Sequence, residues 1–141
     1  MDKFILYTET HPTTYKLAQN YVTQTILRPP EDIVTDFARL TTEGVLTVIF
    51  RYAWDGASGP TRDTKSAMRG PLAHDTLYQM MRMGLLDYKL FRKPADQQLY
   101  LDLREDGMNY VRAKYWYAGV RTFAEKYARP QSQEIEIKRA P

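Results

Sequence analysis

The chain has 141 residues, 20 basic against 17 acidic side chains, and no cysteine. That length suits one domain burying roughly two thirds of its unfolded surface. The missing cysteines exclude disulfides and Cys-based zinc or iron–sulfur centres, and favour a reducing compartment or a virion over a secreted mini-domain.

Residues 1–8 lack the basic start and long apolar core of a signal peptide. The most apolar stretch, 44–50, is far shorter than the roughly 20 residues that cross a bilayer, so any membrane is met from its surface. Residues 1–70 hold 8 basic and 8 acidic side chains and residues 71–141 hold 12 and 9, so the excess of +3 lies in the second half. Such a tilt suits an anionic surface, or an ordinary solvated one. The basic residues are interspersed with acids and no nucleic-acid motif occurs, so a nucleic-acid module is not expected.

Residues 1–54 read as β structure. A run rich in Tyr, Val, Thr and Ile spans 15–27 and is stopped by Arg28-Pro29-Pro30. Runs 33–40 and 45–52 flank Thr41-Thr42-Glu43-Gly44, which predicts a hairpin. The 45–50 segment is apolar at almost every position, which predicts a strand covered on both faces.

After Asp63 the pattern becomes helical. Thr64 is placed to cap a short turn over 65–68, and Pro71 opens a helix that carries Leu72, Leu77, Met80, Met81 and Met83 and stops at Gly84. The methionines read as core filler more readily than as a lipid-binding surface. A connection over 87–93 then leads to Pro94, which is expected to open a second helix ending at Gly107. Asn109 caps a third helix reaching about Ala128, with Val111, Tyr115, Ala118 and Phe123, and Pro130 ends it. The Glu134-Ile135-Glu136-Ile137-Lys138 alternation fits a short edge strand, a segment that adds to a partner's sheet, or a frayed end. The expectation is a single α+β domain over 1–141: a β-rich part to 54 with antiparallel strands, a loop and three helices over 55–129, and a tail from 130.

Chemistry concentrates in the middle. Helix neighbours are turned by about 100°, so His74 and Asp75 are suited to separate tasks, one activating water and the other holding a cation. A histidine base needs a partner that fixes its tautomer, and Asp96 on the next helix is the candidate. Calcium takes about 6–8 oxygen ligands, and Asp55 with the carbonyls around Gly56 and Gly59 would add to Asp75. Each residue also has a purely structural reading: a His-Asp pair on a helix, a turn after a strand, an acid in the first turn of a helix. His11, before Pro12, reads as a surface residue.

The order Gly56-x-x-Gly59-Pro60, His74-Asp75-Thr76-Leu77-Tyr78 and Asp96 resembles phospholipase A2 enzymes. It is most similar to the disulfide-free phospholipase domain of parvovirus capsids, with Pro94-Ala95-Asp96-Gln97 and the acidic helix over 99–106 included. The resemblance covers roughly 52–106. It implies His74 as general base, Asp96 as its orienting carboxylate, Tyr78 as support to Asp96, and Asp75 with the carbonyls of Gly56 and Gly59 as calcium ligands. It also implies a helix pair carrying the dyad and a phospholipid membrane surface as partner. The glycines stand three apart, where the family has two, and the β-rich first third has no counterpart in the secreted enzymes' helical core. Asp55-Gly56-Ala57-Ser58-Gly59-Pro60, Met68-Arg69-Gly70 and Arg104-Glu105-Asp106-Gly107, with the His74 motif, are similar to a phage- and prophage-associated group, domain-of-unknown-function family thirteen-fifty-three. That group implies phage origin, in a virion or an infected bacterial host, and supplies no activity. The alternative expectation is therefore a non-enzymatic virion or tail protein that keeps the same scaffold and binds other virion proteins.

Overall fold

The computed structural model describes residues 1–11, 14–55, 65–130 and 139–141, excluding the side chains of Thr10 and His11. The surface reading of His11, the Thr64 cap, the loop with Gly56 and Gly59, and the 134–138 alternation lie outside the described residues. The architecture is α+β, with antiparallel strands in the first half and helices after them.

Two small sheets form. Strands β1 (Tyr7–His11), β2 (Thr14–Leu17) and β7 (Ala53–Asp55) pair in the order β1-β2-β7. Strands β3 (Tyr21–Gln24), β4 (Ile33–Val34), β5 (Ala38–Leu40) and β6 (Val45–Val48) pair in the order β3-β6-β5-β4. Every pairing is antiparallel.

The expected hairpin is present, with Leu40 opposite Leu46 and Ala38 opposite Val48. Gly44 makes its turn with φ +86°, and an added Cβ would collide with the Leu27 carbonyl oxygen and the Arg28 guanidinium. Thr25 fastens that turn, since its N–H and its hydroxyl both donate to the Gly44 carbonyl at 2.8 Å.

Three strand expectations are corrected. The 15–27 run is two strands in different sheets, broken at 18–20, where the Asn20 side chain accepts from Phe50 N–H at 2.7 Å. The 45–52 run is likewise divided: Arg51 takes φ +76° and its N–H donates to Leu17 O at 3.0 Å, turning the chain back to the first sheet. Strand β6 alternates: Leu46 and Val48 are fully buried, while Val45 and Thr47 are half-buried, so one face is sealed and the other partly covered.

A 3-10 turn over Lys65–Ala67 leads into α1 (Arg69–Arg82), and Gly84 lies just past its end. Met80 and Met81 are core residues, whereas Met83 is exposed. Helix α2 (Tyr88–Glu105) begins earlier than Pro94 predicts. The Asp87 side chain accepts from Lys89 N–H at 2.9 Å and caps the helix, so 88–93 is helix and Pro94 lies inside it. Pro94 deprives the carbonyl of Leu90, an exposed residue, of its helical donor. Asp96 is consequently a mid-helix residue, and the reading of it as a first-turn acid is withdrawn. Helix α3 (Tyr110–Phe123) has the Asn109 cap, accepting from Arg112 N–H at 2.8 Å. A break at Ala124 separates it from the one-turn α4 (Glu125–Ala128), so the expected third helix is two.

Helices α1 and α2 run antiparallel and close together. A Cβ on Gly70 would sit 3.2 Å from Leu99 Cδ1 and 3.3 Å from Asp102 Cβ. Arg69 bonds Asp106 at 2.9 Å at one end of the pair, and His74 and Tyr78 meet Asp96 further along. The main core lies between the strands and α1, with Leu17, Tyr21, Leu40, Leu46, Leu72 and Leu77. Arg69 Nη1 also donates to the Tyr21 hydroxyl at 2.9 Å, and Gln98 Oε1 accepts from Ile26 N–H at 2.8 Å, fixing the helix pair to the strands.

Candidate active site

Asp96 is the hub. It is fully buried, and both carboxylate oxygens are engaged. His74 Nε2 lies 2.7 Å from Oδ1, and the Tyr78 hydroxyl donates to the same Oδ1 at 2.6 Å. His74 and Tyr78 are four apart on α1, so their rings stack along one face with centroids 4.1 Å apart. Arg121 Nη1, from α3, donates to Oδ2 at 2.8 Å. Arg92, one turn before Asp96 on α2, donates from Nε to the Tyr78 oxygen at 3.2 Å and from Nη2 to the Val120 and Arg121 carbonyls at 2.8 Å each.

The electrostatics follow from this enclosure. Burial alone pushes the Asp96 carboxyl upward, but the hydrogen bonds from His74 and Tyr78, the His74 charge and the Arg121 bond outweigh it and hold the group below the usual carboxylate range. Burial, and then Asp96 itself, drives the Tyr78 hydroxyl upward, so it stays a neutral donor. A buried carboxylate surrounded by donors keeps its charge and fixes the orientation of whatever it bonds.

Asp75 leaves the helix in another direction, as its adjacency to His74 requires, yet both line one cavity of about 550 Å³. Its walls are β7 with Trp54 and Asp55, α1 with His74, Asp75 and Gln79, and the α3–α4 region with Trp116, Val120 and Tyr127. Burial pushes the Asp75 carboxyl up to about 6; His74 and Arg82 oppose the rise and Asp55 adds to it. Tyr52, whose hydroxyl donates to Gln79 Oε1 at 3.0 Å, is pushed up to about 12, first by burial and then by Asp75.

The structure thus brings His74, Tyr78 and Asp96 into one hydrogen-bonded group and sets Asp75 and Asp55 on the adjoining cavity. Asp55 is exposed at the end of β7, where Thr14 donates to its Oδ1 at 3.4 Å. The Asp55 charge adds to the proton affinity of Asp75, and two carboxylates on one cavity have the donor chemistry a hard cation requires. Among the described residues no group of three or more His, Asp or Glu side chains is arranged to hold a metal ion.

Two functional-looking residues escape the sequence. Arg92 becomes visible as the i, i+4 neighbour of Asp96 only once α2 is known to start at Tyr88. Arg121 has no sequence signal, since its contact depends on how α3 crosses the helix pair. Comparison with models of known families, with curated proteins and with solved structures gave no match.

Proposed function

We propose that this chain is a phospholipase A2-like, calcium-assisted hydrolase of phospholipid esters, of phage origin, with His74 as general base. The supporting observation is the 2.7 Å contact between His74 Nε2 and Asp96 Oδ1. With Nε2–H donating to Asp96, the lone pair resides on Nδ1, the nitrogen available to a water. That water attacks the ester carbonyl carbon while its proton passes to Nδ1. Asp96 stabilises the imidazolium, and the proton then leaves with the departing alkoxide as the carbon–oxygen bond breaks, giving a fatty acid and a lysophospholipid. A base so positioned contributes about 10²–10⁴-fold.

Tyr78 and Arg121 keep Asp96 ionised and aimed, and Arg92 keeps Tyr78 in place. Asp75 and Asp55 are the side chains that would hold calcium, with carbonyls around Gly56 and Gly59 as the further ligands the resemblance implies. Bound there, the ion supplies Lewis-acid polarisation of the ester carbonyl.

One observation favours a second reading. Asp96 receives bonds from α1 and α3 while belonging to α2, so the same network would tie three helices together in a virion or tail protein that never activates water. The assay is fatty-acid release from liposomes by wild type and His74→Ala, with calcium and with chelator. The hydrolase reading expects release that needs both calcium and His74. A folded wild type that releases nothing under any condition leaves the scaffold reading.

A further inference from the structure

Helix α3 packs Trp116 and Val120 inward and still leaves large apolar side chains in solvent. Ala113 is its one buried residue, whereas Val111, Tyr115 and Phe123 are 76 %, 66 % and 74 % exposed. Val111, Tyr115, Ala118 and Thr122 are all exposed and recur at i, i+4, i+7 and i+11, which makes a single outward stripe. Tyr110, just before the stripe, and Phe123, just after it, are also exposed.

Charge is concentrated on the same segment. Residues 108–130 carry five basic side chains and one acid, Glu125, which is paired with Arg129 at 3.2 Å. That surplus of +4 exceeds the chain's formal +3, so everything outside the segment is net negative by one. Helix α3 has no acid at all. Exposed Lys114 sits 5.2 and 5.4 Å from the rings of Tyr100 and Tyr110, and exposed Lys126 sits 5.0 Å from that of Tyr127, so the cations rise from among the aromatic rings.

We infer that the outward face of α3 and α4 is a docking surface for an anionic phospholipid membrane. Val111, Tyr115 and Phe123 enter the boundary between headgroups and acyl chains, and Lys114 and Lys126 meet lipid phosphates. Exposed apolar and aromatic side chains interleaved with cations along one segment have the composition that interfacial anchors require. A second copy of the chain fits poorly, because pairing two acid-free helices sets cation against cation. The inner side of α3 presents Trp116 and Val120 to the cavity that holds His74, so a membrane on the outer side lies one helix away from it. As a statement of where a hydrolase meets its substrate, the inference rests on the proposed function; the docking itself is measurable without turnover.

The test uses full-length His74→Ala protein, which does not consume the vesicles. Cosedimentation is measured with vesicles of phosphatidylcholine alone and of phosphatidylcholine mixed with phosphatidylglycerol. Binding is expected to the mixed vesicles, weakening as salt is added. Lys114→Gln with Lys126→Gln is expected to weaken it about 30-fold, at the usual contribution of one cation near a charged leaflet. Val111→Ser with Phe123→Ser, both highly exposed, is expected to abolish it with unchanged circular dichroism. Folded protein that ignores the mixed vesicles, or binding untouched by both pairs, overturns the inference. So does self-association, seen by light scattering, that the Val111→Ser, Phe123→Ser pair removes, or displacement of the vesicles by an oligonucleotide. Docking with no fatty-acid release by wild type keeps this surface and removes the hydrolase reading; release from dispersed short-chain substrate without docking does the reverse.

Discussion

Replacing Tyr78 by Phe removes one oxygen and little volume. That oxygen donates to Asp96 Oδ1 at 2.6 Å and accepts from Arg92 Nε at 3.2 Å. A hydrogen bond to a buried charge contributes about 1.5–3 kcal/mol. Arg92 loses an acceptor but keeps two backbone carbonyls, so its own loss is small. The expected destabilisation is about 2–3 kcal/mol, or roughly 4–10 °C in Tm for a chain of this size. The pH dependence has a definite sign. A carboxyl held below its unfolded value lends stability above the ordinary carboxylate range and withdraws it as pH falls through the folded value. Losing the Tyr78 donor moves that folded value up, so the Tyr78→Phe penalty is largest near neutrality and shrinks in acid. Urea denaturation at neutral pH and at pH values around and below the ordinary carboxylate range measures this. A variant as stable as wild type at neutral pH, or one whose penalty grows in acid, would refute the bond to a charged Asp96.

Other outcomes follow from the same geometry. Gly44→Ala places a Cβ at φ +86° against the Leu27 carbonyl and the Arg28 guanidinium, so urea titration is expected to show a loss of more than about 1 kcal/mol. Asp102 is pushed up to about 6, first by burial, while Gln98 and Arg69 oppose the rise and Asp106 and Glu105 add to it; a folded value above the unfolded one means stability falls as pH climbs from about 4 to 6, by at most about 3 kcal/mol. Asp102→Asn should flatten that slope in chemical denaturation series. Asp75→Asn removes one of the two carboxylates on the cavity and is expected to abolish the calcium response of fatty-acid release and the calcium heat in titration calorimetry, with His74 and Asp96 still in contact.

The helix pair and its polar contacts were legible because they rest on short-range periodicity. His74 and Tyr78 at i, i+4 share a face in any helix, and the brief turn before α2 returns Asp96 to them. The start of α2 was not legible from Pro94, because the Asp87 side chain caps the helix upstream and the proline is carried inside it. The break at 18–20 carries neither Gly nor Pro; it is imposed by the tertiary bond from Phe50 to Asn20, which local propensity does not register. On α3, Val111, Tyr115, Ala118 and Phe123 are exposed while Trp116 and Val120 pack inward, a division that depends on how the helix is docked and not on its own apolar content. Arg121 belongs to the same class of long-range facts.

Helix α3 is fastened by polar attachments, the Arg121–Asp96 pair, the two carbonyls held by Arg92 and the Asn109 cap, and by Trp116 and Val120 packed beside Leu99 and Leu103, with Ala113 alone fully buried. Helices with fewer fully buried side chains open sooner, so its amides are expected to exchange with solvent deuterium before those of α1 and α2. Each opening would strip the guanidinium from Asp96 and leave His74 and Tyr78 alone with the carboxylate. An opening of this one helix would therefore change the charge balance at Asp96, and whatever holds the helix down would also steady the histidine.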